Sequence, residues 1–230
     1  MIKEIFGTKI GMTQVFSSAG ELLPVTLVEV EPACILEEMN YPGKKKAKIG
    51  CFKIKETKIS KIKKPQRGYF KKEKAPAYRL IKEVEAEKDP DFPFLKGEQK
   101  KEGAQKENTQ EEKKAPSRYV GIEMFSQGQH ITVRSKSKGK GFAGAIKRHR
   151  MRRQPSSHGS GMHRRVGSVG ASATPSKIAK NKKMPGHLGS NYRVTKNLEI
   201  LKIDEEKRVI FIKGNVSGSR GAIVKLTKQN

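Results

Sequence analysis

Short runs of β-branched and apolar residues, separated by turn-forming clusters, set the pattern of this chain. They fall at Val25–Val30, Ile49–Ile54, Tyr119–Met124, Ile131–Val133, Leu198–Ile203, Val209–Ile212 and Ala222–Leu226, and each predicts a strand. Asp204-Glu205-Glu206-Lys207 separates two of them and predicts a hairpin turn, as Ser17-Ser18-Ala19-Gly20 does near the N-terminus. Several short strands with turn signals favour a β-barrel or sandwich. No run suits a membrane span. The longest, Leu22 to Val28, contains Pro24 and lies between Glu21 and Glu29, far short of the ~20 residues a spanning helix needs. Glu4 and Lys9 interrupt the N-terminal apolar residues, so a signal peptide is not expected there.

The strands flank a segment of another kind. Residues 134–193 carry 16 basic side chains and no acidic one, and the 75 residues between Glu123 and Glu199 contain no carboxylate at all. All five histidines lie in that gap. A soluble surface normally mixes both signs, because like charges repel and opposite ones pair. The segment is not low-complexity either, since Phe142, Ile146, Met151, Met162, Val166, Val169, Ile178, Met184 and Leu188 sit among its cations and glycines. It is expected to be an ordered, extended element that packs against phosphate. The organisation predicted is a discontinuous β domain over 1–133 and 194–230, interrupted by a basic extension over 134–193.

Charge elsewhere sharpens the contrast. The whole chain of 230 residues has a net charge of +27 and a pI near 10.1. Self-repulsion on that scale disfavours an isolated compact state and points to a polyanion partner, not a membrane. Residues 1–39 are net −4, 40–85 net +12 and 86–116 net −1. The last of these is rich in Lys, Glu, Gln and Gly and almost free of apolar groups after Leu95, as expected of a solvated, flexible insertion. Cys34 and Cys51 form no C-x-x-C pair, which suggests reduced thiols in a cytosolic compartment and excludes a disulfide scaffold. Trp is absent and aromatics make up 6%, which argues against recognition built mainly on base stacking.

Three motifs invite enzymatic readings. Gly139, Gly141 and Gly144 spell G-x-G-x-x-G, but a dinucleotide site needs an acidic residue about 20 positions on, and none precedes Glu199. Small residues that let the backbone approach a nucleic-acid surface, with Lys136, Lys138 and Lys140 meeting phosphates, explain the run better. The histidines lack neighbouring carboxylates or cysteines, so no metal site is expected. Ser156-Ser157-His158 has no acid to orient its imidazole, and the basic region holds no paired carboxylates for acid–base work. No catalytic residue, metal or cofactor is expected, and the chain does not read as an enzyme.

Several stretches resemble a known family. Gly7-Thr8-Lys9-Ile10-Gly11-Met12-Thr13-Gln14-Val15-Phe16 is similar to the opening of bacterial-type large-subunit ribosomal protein L three. The resemblance continues through Ser137-Lys138-Gly139-Lys140-Gly141-Phe142, Ile146-Lys147-Arg148-His149, His158-Gly159-Ser160, His163-Arg164 and Gly167 to Pro175. It extends to Lys182-Lys183-Met184, Gly186-His187, Val194-Thr195, Asn197-Leu198-Glu199 and Lys213 to Gly218, so that it covers nearly everything except 86–116. Ala143 stands where many relatives have a Gln that is methylated in some, which removes that modification here. Asn181 replaces a usual Gly and Pro185 a usual Ala.

The resemblance implies a six-stranded β-barrel of the translation-protein type with a long extension running into large-subunit ribosomal RNA. It also implies a cytoplasmic, ribosomal location, early entry into subunit assembly, and a barrel near the subunit surface with the extension approaching the peptidyl-transferase centre. Neighbours from the L fourteen and L nineteen families are expected. With the charge pattern, it makes Arg134, Lys136, Lys138, Lys140, Phe142, Gly144, Lys147, Arg148, His149, Arg150, Arg152 and Arg153 candidate RNA-binding residues. His158, His163, Arg164, Arg165, Lys177, Lys180, Lys182, Lys183, His187 and Arg193 complete the set. Two other classes compete. A DNA-compacting architectural protein shares the charge but is expected to bring a dimer interface or a groove-reading helix. An RNA-modifying enzyme needs a cofactor loop or catalytic acid that this chain does not show.

Overall fold

The computed structural model describes residues 2–17, 19–41, 44–73, 75–86 and 119–229. From residue 87 onward, the charged 86–116 segment lies outside the described residues. The strands, in chain order, are β1 (Glu4–Phe16), β2 (Leu22–Glu29), β3 (Ala33–Tyr41), β4 (Lys44–Lys53), β5 (Tyr78–Ala86) and β6 (Tyr119–Val120). They continue as β7 (His130–Lys136), β8 (Phe142–Ala143), β9 (Gly186–His187), β10 (Tyr192–Asp204), β11 (Val209–Lys213) and β12 (Ile223–Lys228). Among the described residues there are two α-helices, α1 (Lys64–Lys72) and α2 (Ala145–His149). The chain divides into two compact units: residues 1–135 with 194–230, and residues 136–193.

The first unit contains a closed six-stranded barrel in the order β1-β12-β7-β10-β11-β2. Closure brings opposite ends of the chain together: Glu4 pairs with Thr227 and Thr8 with both Ile223 and Glu29. Inward positions recur with the two-residue period of a strand most clearly in β7 and β12. Ile5, Val25, Val28, Ile131, Ile200, Ile210, Ile212 and Leu226 are fully buried. Lys9 is buried too, and its Nζ donates to the Val216 carbonyl at 2.6 Å. The register slips between Lys9 and Gly11, a bulge that turns β1. Beyond it the paired ends of β1 and β2 leave the core, and Phe16 and Leu22 face each other exposed. The hairpins expected at Ser17–Gly20 and Asp204–Lys207 both form; in the second, Asp204 Oδ1 accepts from the Lys207 amide at 3.1 Å.

Not all of 1–133 joins the barrel. Residues 33–53, 78–86 and 119–120 supply a separate four-stranded sheet in the order β5-β4-β3-β6. Its two faces serve two clusters. Ala33, Ile35, Ala47, Ile49, Cys51 and Val84 join the barrel core, while Cys34 and Leu36 pack with Phe70 and Tyr78 beside α1. The expected strand over Tyr119–Met124 is a correction of the same kind. Only Tyr119–Val120 pairs; Ile122–Met124 is a 3₁₀ turn, and Ile122 is buried in the core. The apolar residues there are needed for packing, which a short apolar run does not distinguish from pairing.

Candidate nucleic-acid interface

The second unit begins and ends as a narrow ribbon. Ser137 N donates to Asn191 O at 2.9 Å, Lys140 N to Leu188 O at 2.9 Å and Leu188 N to Gly141 O at 2.9 Å. Phe142 and Ala143 of β8 then pair with His187 and Gly186 of β9. The arms approach so closely that a Cβ on Gly189 would run into the Lys138 carbonyl, and Gly189 also has φ of +76°. Glycine is required there by space and by backbone conformation together.

Beyond the ribbon, Gly144 leads into α2, which ends at Arg150 in the left-handed conformation (φ 54°). Arg148 Nη1 donates to Met184 O at 2.9 Å, and His149 Nε2 lies 2.9 Å from the same oxygen. A carbonyl only accepts, so the His149 proton sits on Nε2. Ala143 and Ala145 are the buried side chains of this unit. Residues 150–185 form neither helix nor strand and run almost entirely exposed. Met162, Val166, Val169 and Ile178 line an open hollow of about 650 Å³ with Gly167–Ser172 and Lys177. Asn181, in the place of the usual glycine, adopts φ of 63°, a conformation asparagine tolerates better than most residues.

The sequence-predicted residues fall unequally between the two units. Arg134 lies in β7 opposite Lys225, inside the barrel unit and not in the extension. All the others belong to residues 136–193, and all of these are exposed except His149, which is half-buried by its bond to Met184. Phe142 is 76% exposed, although β8 pairs its backbone. Gly144 differs from Gly189: its φ is −62° and a Cβ would meet nothing within 4 Å. The internal roles of Arg148, His149 and Gly189 were not legible, because each depends on a contact tens of residues away. Among the described residues no three of His, Cys, Asp or Glu lie together as metal ligands would, and no helix is long and apolar enough to cross a membrane.

Fold and site together define a class: a β-barrel protein interrupted by a carboxylate-free, core-poor cationic unit. Comparison with known proteins is specific. The family described as "Ribosomal protein L3" matches residues 104–209. Large ribosomal subunit protein uL3 of Lysinibacillus sphaericus is 38% identical over 226 residues, covering 97% of this chain and 96% of that one. The protein of the same name from Oceanobacillus iheyensis is 37% identical over 229 residues, covering 99% and 97%. Large ribosomal subunit protein uL3c of Porphyra purpurea is 36% identical over 226 residues, covering 97% and 98%. The chain belongs to the ribosomal protein L3 family.

Proposed function

We propose that this chain is a structural constituent of the large ribosomal subunit that binds ribosomal RNA chiefly through residues 136–193. One observation carries the reading. This unit presents its Lys and Arg side chains to solvent, contains no carboxylate, and buries little beyond Ala143 and Ala145. Such a segment gains too little from its own packing to offset the ordering entropy of its length. Phosphate is the partner its surface fits.

The mechanism is electrostatic and positional. Folding RNA crowds phosphates together, and fixed cations replace mobile counterions, which are released to solvent. Arg150, Arg152, Arg153, Arg164 and Arg165 can each hold a phosphate bidentately, whereas the lysines act as point charges. His158 and His163 can stack or hydrogen-bond without needing charge. Family membership supports early entry into assembly, proximity of the extension to the peptidyl-transferase centre, and neighbours from the L fourteen and L nineteen families. In this reading the protein shapes RNA and the RNA performs the chemistry. DNA compaction fits less well, since α2 spans only five residues and no longer helix is described in the cationic unit.

Co-sedimentation tests the reading. The tagged chain should travel with large subunits through a gradient and remain bound after a moderate salt wash. Recovery in the free fraction or with chromosomal DNA would refute it.

A further inference from the structure

Residues 54–77, which join β4 to β5, carry nine basic and two acidic side chains and form a second strongly cationic segment. A 3₁₀ turn over Glu56–Lys61 runs directly into α1. Ile54, Ile59 and Ile62 turn partly inward, while Lys55, Lys58, Lys61, Lys63, Lys64 and Lys71 are exposed. None of these six has a carboxylate partner among the described residues. In the adjoining sheet two lysines are paired: Lys48 meets Glu37 at 2.8 Å and Lys46 meets Glu83 at 3.7 Å. The six exposed lysines of the connection form a cationic field.

It is also held in shape. Arg67 is not part of the field, because its Nε donates to Ile62 O at 2.9 Å and its Nη2 to Ser60 O at 2.8 Å. Those bonds clamp the junction between the 3₁₀ turn and α1. Ile54 N donates to Ala77 O at 2.8 Å and closes the base. Phe70 is buried and meets the rings of Tyr69 and Tyr78 edge-on, at 6.0 and 6.2 Å. The first turn of α1 contains no acidic residue, so Lys63 and Lys64 crowd the positive end of the helix with nothing to offset them. A rigid surface that keeps such repulsion suits an external polyanion. Insertion into a lipid surface does not fit, because the apolar side chains here turn toward the protein.

We propose that residues 55–72 are a second RNA-binding surface, which grips the phosphate backbone of an RNA duplex without reading its sequence. Lysines are compact point charges with no bidentate geometry, and the one arginine is consumed internally. The surface therefore adds affinity and salt dependence, while selectivity among RNAs resides elsewhere. This inference rests on RNA binding by the chain.

The test uses the full chain, a transcript of large-subunit ribosomal RNA, an unrelated RNA duplex, and anionic phospholipid vesicles. Lys58→Gln, Lys61→Gln, Lys63→Gln and Lys64→Gln are combined, and the same four positions are changed to Arg in a second variant. All four side chains are exposed, and removing Lys63 and Lys64 relieves repulsion at the helix N-terminus, so the Gln variant should unfold at no lower temperature than the parent. The Gln variant should lower the slope of log K against log salt by about three to four, given ~0.9 per duplex phosphate. Its preference for the ribosomal transcript over the duplex should persist, and the Arg variant should bind like the parent chain. If the parent binds the transcript and the Gln variant keeps the same slope, this inference alone fails. If the parent does not bind the transcript, the proposed function fails with it. Vesicle binding lost in the Gln variant, with RNA binding intact, would assign the surface to lipid and overturn the proposal.

Discussion

Arg148 and His149, adjacent in α2, both place a ring or guanidinium nitrogen 2.9 Å from the carbonyl oxygen of Met184. One acceptor thus ties the short helix to the arm that returns to the barrel. Arg148 remains exposed and keeps further donors for a phosphate, so it has an internal contact and a free face at once. Replacing both residues with alanine should cost about 1 kcal/mol per lost bond. Amide exchange should quicken at 145–149 and 186–188 while the barrel strands stay protected. Unchanged exchange in those segments would show that the bonds do not hold the arms together in solution.

Gly189 and Gly144 should respond oppositely to a side chain. Gly189→Ala meets both a positive φ and the Lys138 carbonyl, a strain of about 1–3 kcal/mol for the backbone alone. Limited proteolysis should then cut the 136–193 unit faster and leave the barrel intact. Gly144→Trp should fold normally, because φ is −62° and the space beside it is open. Its effect should emerge only in assembled ribosomes, as slower single-turnover peptide transfer or altered drug sensitivity at normal subunit yield. Unaltered transfer and drug binding would place the closest approach to RNA elsewhere.

Binding of the whole chain to its RNA should be steeply salt-dependent. With roughly 8 phosphates engaged by residues 136–193, that unit should contribute about −6 to −7 to the slope of log K against log salt. A filter-binding titration at several salt concentrations measures it. A slope shallower than about −2 would remove counterion release as the driving force.

Cys34 and Cys51 should never form a disulfide with each other in the folded chain. They lie on opposite faces of the four-stranded sheet, Cys51 in the barrel core and Cys34 against Phe70 and Tyr78. Burial pushes the Cys51 thiol up to about 12. The native state therefore holds that proton while the unfolded chain loses it from about pH 8.5. The associated stability is fully present below that pH and is lost as pH rises toward the native value. A thiol reagent at pH 8 should label neither cysteine until denaturant is added. Rapid labelling of the native chain would contradict the burial of both.

The sequence announced strands where apolar runs were unbroken. Val25–Val30, Val209–Ile212 and Ala222–Leu226 fall on β2, β11 and β12, within two or three residues at their ends. It concealed β1, although β1 runs from Glu4 to Phe16, because Gly7, Lys9 and Gly11 interrupt its pattern. Each interruption has a tertiary explanation. A Cβ at Gly7 would press into the Glu29 carbonyl at 2.6 Å, Gly11 follows the bulge, and Lys9 finds the Val216 carbonyl. Helix α1 was hidden in a similar way: Pro65 and Gly68 resemble breakers, yet Pro is tolerated in the first helical turn. In β3 the consecutive Glu37 and Glu38, and in β5 the consecutive Lys82 and Glu83, break the alternation.

What the sequence determined by itself was chemistry that depends only on composition along the chain. A stretch without carboxylates remains cationic however it folds, and the ordered series of glycine- and lysine-rich motifs is enough to point to the family. Ring closure, the separation of β3–β6 into a second sheet, and the burial of Lys9 were decided only by tertiary structure. So were the clamp of Arg67 on its own backbone and the shared hold of Arg148 and His149 on Met184. Each joins atoms whose energies depend on distance and direction in space, and a one-dimensional pattern records neither. Local alternation fixes which face of a strand is apolar; the partner that covers that face is chosen by the whole core at once.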